Sequence, residues 1–246
     1  YVIFCRGHRF IGNGFGEKSD GVCINVFGSV GDYLGSGNDG MTIIMHGNGQ
    51  DQIAQIHKKG ELVIHGDVGQ CYGYGAKGGE LFILGNAAGR PMINSVGEPK
   101  LIINGTALDY LAESFMAGDP LKDGGFVIVN GVEFDEKGAL IEMQTPYLGG
   151  NLFSLASGGA IYIRDPHSRV SSSQLNGGEF TNITEADWRV IEPLLIKNEL
   201  HFGISLIRLL TVDGEVGNPS DIYRKIIPVK NRALHAEAAW VGHDGG

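Results

Sequence analysis

Residues 61–66 read ELVIHG, a short apolar run closed by a glycine, and this unit recurs along much of the chain. It returns as VCINVFG (22–28), MTIIMHG (41–47), ELFILG (80–85), KLIING (100–105) and FVIVNG (126–131). The closing glycines are Gly28, Gly47, Gly66, Gly85, Gly105 and Gly131, so successive numbers differ by 19, 19, 19, 20 and 26. One such unit cannot bury its own apolar face and must stack on its neighbours. The spacing therefore predicts a solenoid.

Side-chain alternation assigns two faces to each predicted strand. Because successive strand residues point to opposite faces, the residues four and two before each glycine share one face, and all of them are apolar. These inward columns are Ile24/Val26, Ile43/Met45, Leu62/Ile64, Leu81/Ile83, Leu101/Ile103 and Val127/Val129. The apolar repeat of a left-handed hexapeptide helix is missing. We predict an all-β solenoid, a single-stranded right-handed parallel β-helix with rungs of about 19 residues.

The opposite face carries an apolar stripe that needs a cover. Three residues before the glycines lie Asn25 and then five apolar side chains, Ile44, Val63, Phe82, Ile102 and Ile128. Six stacked strands would make this stripe roughly 25 to 30 Å long. Exposed apolar surface of that extent marks a docking site. We expect either the C-terminal helices or a partner subunit to cover it.

Helical patterns appear in two places outside the repeats. Thr184 is placed to cap a helix with a buried face of Trp188, Ile191, Leu194 and Leu195, and Pro193 predicts that this helix is kinked or split. A short inserted helix is predicted within residues 106–118, because three apolar side chains follow Thr106 at helical spacing, namely Leu108, Leu111 and Phe115.

The chain divides into three regions on these patterns. Residues 1–150 form the glycine-rich β-helix, residues 151–230 supply the last strands and the C-terminal helices that pack on it, and residues 231–246 form a tail that we expect to be partly disordered.

Composition narrows the class of protein. A formal net charge of -9 disfavours nucleic acid as a partner and provides no basic face for anionic lipid. No apolar run approaches the roughly 20 residues of a membrane span. Three cysteines, Cys5, Cys23 and Cys71, form no CxxC pair, which suits free thiols in a reducing compartment. We expect a cytoplasmic protein.

Several residues have the chemistry of an active site, but their spacing favours structural roles. Gly73, Gly75 and Gly78 satisfy GxGxxG, yet a strand follows where a dinucleotide site needs a helix. His46 and His65 occupy the same slot on successive coils, about 5 Å apart, without a third metal ligand at a recognisable spacing. A polar ladder is the favoured interpretation of this pair.

Three further sets of residues have both a functional and a structural interpretation. Cys71 lies in the turn after His65, which permits a thiol and imidazole pair although no motif surrounds it. Glu61 and Glu80 stack in a repeating wall position, where Lys100 would relieve their repulsion; paired glycosidase carboxylates would look similar. Arg164 and Asp165 suit a local salt bridge or a turn cap. We assign no catalytic, cofactor-binding or metal-ligating residue to this chain.

The glycine-rich turns carry a resemblance to a known family. GSVGDYLGSGNDG (28–40) and GDVGQCYGYGAKGG (66–79), each followed by an apolar strand, resemble the GxGxG domain that closes the large chain of glutamate synthase and also forms one of the subunits of formylmethanofuran dehydrogenase. SGGAIYIRDP (157–166) and DIYRKIIP (221–228) resemble later segments of the glutamate synthase type. Asn198 and Phe202 depart from the H-x-x-x-T-G-S pattern of the synthases.

The resemblance implies a scaffold and not a catalyst. It implies a free-standing subunit of a multi-subunit, glutamate synthase-like oxidoreductase that positions amidotransferase and FMN-binding synthase subunits. FMN and the iron-sulfur cluster would lie on those partners, and a homo-oligomer is also compatible. One alternative is the scaffold of a formylmethanofuran dehydrogenase-type molybdenum or tungsten enzyme. Another is a carbohydrate-active β-helix protein.

Overall fold

The computed structural model describes residues 1–229, and its elements follow in chain order. The strands are β1 (Val2–His8), β2 (Cys23–Val30), β3 (Asp39–His46), β4 (Lys59–Ile64), β5 (Glu80–Ile83), β6 (Lys100–Ile103), β7 (Phe126–Val129), β8 (Val132–Phe134), β9 (Leu140–Glu142), β10 (Ala160–Arg164), β11 (Gly178–Asn182), β12 (Thr211–Val212), β13 (Glu215–Val216) and β14 (Tyr223–Pro228). The α-helices are α1 (Glu185–Phe202), α2 (Leu206–Leu210) and α3 (Pro219–Ile222), and 3-10 turns span Gly16–Ser19, Pro120–Lys122 and Ser172–Gln174. The tail predicted at 231–246 lies outside the described residues.

One continuous sheet runs the length of the molecule. Its strand order is β1-β2-β3-β4-β5-β6-β7-β10-β14-β11. From β1 to β10 in that order every pair is parallel, with one coil of chain between most neighbours. The register places Leu62 beside Leu81 and Leu81 beside Leu101, as the glycine period predicts. The fold is therefore a β-solenoid of parallel strands.

The core lies inside the coils, where the predicted inward columns meet. Every one of those residues is buried and belongs to a single apolar cluster that runs through the coils. Each fully buried aliphatic side chain stabilises the fold by roughly 1.5 to 3 kcal/mol relative to exposure. The stacked strands thus share one continuous interior, which no single coil could form.

The side of each coil opposite the strand uses an unusual backbone. Left-handed φ values recur at every second residue, for example at Gln52, Ala54 and Ile56 and again at Cys71, Gly73 and Gly75. The N–H groups alternate in direction: Gln52 donates to the next coil and Ala54 to the previous one. This ladder holds the coils together on the side without strands. Three of its rungs supply glycine at both later positions, namely Gly12/Gly14, Gly35/Gly37 and Gly73/Gly75, which gives the GxGxG spelling.

The closing glycines permit a second ladder, made of side chains. The residues after three of the glycines accept hydrogen bonds from the next coil: Asn48 Oδ1 accepts from Asp67 N (2.9 Å), Asp67 Oδ1 from Asn86 N (2.7 Å) and Asn86 Oδ1 from Thr106 N (3.0 Å). A Cβ at Gly66 or Gly85 would collide with these oxygens. At these two positions glycine is therefore needed for close approach of the coils.

The predicted helix within residues 106–118 is wrong. The segment forms the same left-handed ladder as the other coils, with positive φ at Tyr110, Ala112 and Ser114. Leu111 and Phe115 point into the core, whereas Leu108 is exposed. The extra residues of the longer step follow it and include the 3-10 turn Pro120–Lys122.

Antiparallel strands and helices close the C-terminal end. Strand β14 pairs antiparallel with β10, and β11 pairs antiparallel with β14. Helix α1 begins after Thr184, whose side chain accepts from Asp187 N in a capping box, and ends at Gly203 in the left-handed conformation. The helix continues through Pro193, which lies on the exposed side, so a split helix is not found.

Candidate functional site

The outer stripe of the solenoid lies beneath the C-terminal helices. Val63, Phe82, Ile102 and Ile128 are fully buried in a second apolar cluster, where they meet Ile191, Leu194 and Leu195 of α1. Ile44 is only partly buried at the border of this cluster. The chain therefore covers most of the stripe by itself, from β4 to β10.

Helix α1 runs along the solenoid axis. Asp187 near its start contacts Tyr162 of β10, and His201 near its end lies beside Glu61 of β4. The helix rises about 21 Å between these residues, and four sheet steps span about 19 Å. One helix is therefore long enough to cover five strands.

The stacked carboxylates Glu61 and Glu80 are neutralised by α1. Lys197 Nζ lies 2.5 Å from an Oε2 atom of each, and this lysine, not Lys100 as predicted, separates the two charges. Desolvation lowers the pKa of Lys197, but hydrogen bonds to both carboxylates outweigh it and raise that pKa. Desolvation likewise raises the pKa of Glu61, but His201 and Lys197 together lower it. His201 Nε2 lies 3.3 Å from Glu61 Oε1, at an angle unsuited to a hydrogen bond.

A buried bridge of amides joins α1 to the coils. Asn198 and Asn104 exchange two side-chain hydrogen bonds of 2.9 Å. Asn130 donates to Asn104 Oδ1, and the Tyr223 hydroxyl donates to Asn130 Oδ1, each at 2.9 Å. All four side chains are buried. Their polar groups satisfy one another and tie α1, two coils and β14 together.

The N-terminal turn of α1 holds a buried ion pair. Asp187 Oδ1 accepts from the Tyr162 hydroxyl (2.7 Å) and from Lys225 Nζ (2.6 Å), and Oδ2 accepts from Thr184. Desolvation raises the pKa of Asp187, but these donors outweigh it and lower that pKa. The carboxylate is thus fixed by four groups and is fully used within the fold.

Arg164 and Asp165 have separate partners. Arg164 is almost fully buried and donates to Glu142 (2.5 Å) and to the carbonyl of Leu209 (2.6 Å). Asp165 accepts from Arg224 Nη1 (2.7 Å) and from the backbone nitrogens of Arg169 and Val170. The predicted turn cap is present, but the two residues do not pair with each other.

His46 and His65 belong to a column of stacked rings. Their centroids are 5.3 Å apart with planes 17° from parallel, and Phe27 stacks on His46 at 4.2 Å. His46 Nε2 also bonds to Asn25 Oδ1 (2.9 Å), and Phe202 of α1 packs edge-on to His65. Burial and then the charges of His46 and His201 lower the pKa of His65. The column is a stacking ladder.

Cys71 has the environment of a weak nucleophile. Burial is the main cause that raises the pKa of its thiol, with Asp51 and Glu113 adding to it and Arg90 opposing it. Thiolates, not thiols, react as nucleophiles. Within residues 1–229 no hydrogen bond joins Cys71 to His65, so the possible thiol and imidazole pair does not form.

Within residues 1–229, the GxGxxG glycines serve the backbone ladder, and the surface carries open clefts. Gly73 and Gly75 lie in the left-handed ladder, and the chain continues to strand β5. An open cleft of about 520 Å³ lies beside Trp188 and Asn218. Another of about 430 Å³ lies beside Lys225 and Pro228. In the described part of the chain no group of three His, Cys, Asp or Glu side chains could hold a metal ion.

The residues that sequence reasoning missed all act at long range. Lys197 meets Glu80 across 117 positions, and Asn104 meets Asn198 across 94. The sequence signal for these contacts is the presence of Lys197 and Asn198 at consecutive positions of a helix face that is otherwise apolar.

Comparison with known proteins supports one family. The model of the GXGXG motif family matches residues 5–197. A comparison with curated proteins finds no match. Among residues 1–229, no helix has both the length and the apolar character needed to cross a bilayer.

Proposed function

The chain belongs to the GXGXG motif family, and from this we propose that it is a non-catalytic scaffold subunit of a multi-subunit oxidoreductase of glutamate synthase type. In this role it positions an amidotransferase subunit and an FMN-binding synthase subunit. FMN and an iron-sulfur cluster reside on those partners. The cytoplasm is the compartment that fits such an assembly.

The observation that carries the proposal is the use of the reactive side chains. Glu61 and Glu80 share Lys197, and Asp187 is held by Tyr162 and Lys225. An acid or base in catalysis needs a free position beside the reacting atom. These groups instead join α1 to the solenoid, which suits a rigid spacer.

The same arrangement disfavours a carbohydrate-active site at the two glutamates. The Glu61 side chain is only 13% exposed, and α1 lies across the surface where a sugar chain would bind. Retaining glycosidases need two carboxylates with the scissile bond between them. Lys197 occupies the corresponding space here.

Glutamine-dependent glutamate formation tests the proposal. The purified chain alone should give no turnover, while coexpression with the amidotransferase and synthase subunits should give a stable complex that is active. Omission of this chain should leave the other subunits unassembled or uncoupled, seen as glutamine hydrolysis without glutamate synthesis. Robust turnover by this chain alone would overturn the proposal.

A matched pair of variants separates scaffold function from simple folding. Lys197→Met breaks the joint between α1 and the coils, whereas Leu200→Asp changes a side chain of the same helix that is 81% exposed. We expect the first variant to weaken assembly and the second to leave it unchanged. A polysaccharide that bound saturably, with loss of binding in Glu61→Gln, would favour the carbohydrate alternative instead.

A further inference from the structure

The joint between the coils and α1 contains a chemically labile dipeptide. Asparagine before glycine deamidates readily, because the glycine nitrogen reaches the side-chain carboxamide without hindrance from a Cβ. Five such dipeptides occur in the sequence. Two of them, Asn104–Gly105 and Asn130–Gly131, supply the buried amide bridge to α1. A third, Asn48–Gly49, follows β3 and lies in the stacked coils away from that bridge.

Deamidation has two steps and needs only water as a co-reactant. The glycine nitrogen gives its proton to solvent and attacks the asparagine Cγ, so that a C–N bond forms; the Cγ–Nδ2 bond breaks, and Nδ2 takes up a proton and leaves as ammonia. Water then opens the succinimide ring at one of its two carbonyls and gives aspartate or isoaspartate. A carboxylate thus replaces a carboxamide without oxidation or reduction. Base accelerates the reaction, because the glycine nitrogen must first lose its proton.

The folded coils block the glycine nitrogen in all three dipeptides. Gly105 N donates to the Gly85 carbonyl (3.0 Å), and Gly131 N donates to the Gly105 carbonyl (3.1 Å). Gly49 N donates to the Asp67 carbonyl (2.8 Å). A nitrogen whose hydrogen is held in such a bond keeps its proton and stays turned away from the carboxamide. Cyclisation therefore requires the coils to separate, by local or global opening.

The amide bridge requires carboxamides at residues 104 and 130. Asn104 Nδ2 donates to Asn198 Oδ1 and to the Ile83 carbonyl, while Asn104 Oδ1 accepts from Asn198 and Asn130, each at 2.9 Å. An ionised carboxylate only accepts. Aspartate at residue 104 would leave Asn198 Oδ1 without its donor and would bury a charge. Aspartate at residue 130 would set two acceptors against each other.

Asn48 differs, because within residues 1–229 its side chain acts only as an acceptor. Its Oδ1 accepts from Asp67 N (2.9 Å), and one coil later the Asp67 carboxylate has the same role toward Asn86 N (2.7 Å). Aspartate therefore fits this position of the side-chain ladder. Asn48 is also exposed, so a charge there stays hydrated.

We propose that Asn104 and Asn130 are deamidation sites that the folded coils protect, and that their reaction in the opened chain makes the loss of α1 irreversible. While the coils are stacked, both glycine nitrogens are held and the bridge stays intact. A brief opening is reversible, because the carboxamides survive it. A long opening leaves a carboxylate in the joint, and α1 can no longer dock. This property is independent of the proposed scaffold function.

Timed unfolding of the full chain tests the proposal. The protein is incubated in urea in mildly alkaline or mildly acidic buffer and is then refolded at neutral pH. Limited proteolysis between β11 and α2 reports whether α1 is docked, and peptide mapping by mass spectrometry measures conversion at each asparagine. We expect docking after the acidic incubation, and after the alkaline one a loss of docking that matches the fraction of chains converted at Asn104 or Asn130. In the folded protein both sites should convert at least about a hundredfold more slowly than in urea.

Two substitutions supply the aspartate product without any incubation in urea. Asn104→Asp should release α1 to the protease, whereas Asn48→Asp, the matched control, should keep α1 docked. Circular dichroism checks that the coils are folded in each variant, and the incubation of the parent protein tests the proposal without either variant. Chains that dock α1 with Asn104 converted, failure to dock after the acidic incubation, or equal release by both substitutions would overturn the proposal.

Discussion

His57 is the residue whose environment is most at odds with its chemistry. Its side chain is fully buried against the backbone of Gly79, its Nδ1 has no hydrogen-bond partner within residues 1–229, and its Nε2 lies 3.3 Å from the Gly60 carbonyl. Burial lowers the pKa of His57 to about 4, although the Gly60 carbonyl and Asp39 oppose that shift. The fold therefore admits this imidazole only in its neutral form.

Acid should destabilise the protein through His57. The unfolded chain binds a proton near pH 6.5, whereas the folded chain does so near pH 4. Neutral His57 makes its full contribution to the free energy of unfolding above pH 6.5, and up to about 3 kcal/mol of that contribution is lost as the pH falls toward 4. Urea unfolding at several pH values should give a shallower pH slope for His57→Gln than for the parent protein. The exposed His8→Gln is the control, and equal slopes for all three would contradict this account.

The left-handed ladder is the structural element that is hardest to predict from the sequence. Three of the described coils have glycine at two of these positions, whereas the others place side chains such as Gln52 and Ile56 in the same conformation. Each non-glycine residue there costs roughly 1 to 2 kcal/mol. The hydrogen bonds to both neighbouring coils offset that cost.

Backbone strain in the ladder can be measured at Gln52. Its φ is 54° and its side chain is half-buried, whereas Gln70 of the next coil lies outside the left-handed region and is exposed. A β-branched residue tolerates positive φ poorly. We expect Gln52→Ile to lower the free energy of unfolding by about 1 to 2 kcal/mol, and Gln70→Ile to change it little. A larger loss at Gln70 would show that the ladder is not the cause.

The packing of α1 on the outer stripe is the part of the fold that is most sensitive to mutation. Val63 lies on β4 and is fully buried beneath the C-terminal helices. Val63→Asp would bury an unpaired charge, and we expect a loss of at least about 3 kcal/mol or release of α1. Limited proteolysis between β11 and α2 reports the release. Ile196→Asp, at an exposed position of α1, is the control, and resistance of both variants to the protease would argue that the stripe does not hold the helix.

At the scale of the whole molecule, stability should vary along the axis. Strands β4 to β10 have α1 on their outer face, whereas β1 to β3 do not. Solenoid stability is a sum of neighbour contacts, so an end with fewer contacts opens first. Hydrogen exchange should therefore be fastest in β1 and slowest in β5 to β7. Uniform protection across the sheet would contradict this gradient.

The whole fold was predictable only where its contacts repeat. The inward columns and the Thr184 cap follow from local spacing, so they can be recognised in the amino-acid sequence. Leu108, Leu111 and Phe115 suggested a helix, but the left-handed ladder brings only Leu111 and Phe115, which are four residues apart, into the core and leaves Leu108 exposed. Lys197 could not be matched to Glu61, because pairing across the sheet and helix depends on the path of the intervening chain.

The buried amide bridge helps to fix the position of α1 along the stacked coils. A helical turn rises about 5.4 Å, which is close to the spacing of about 4.8 Å between coils. An aliphatic helix face would fit the stripe almost equally well if α1 slid by one coil. Carboxylates occur at only two adjacent levels of their column, Glu61 and Glu80, and amides at only two levels of theirs, Asn104 and Asn130. Lys197 and Asn198 meet these groups together at one position of the helix. The polar pairs therefore select one register of α1 on the stripe from several that are nearly equivalent for apolar packing.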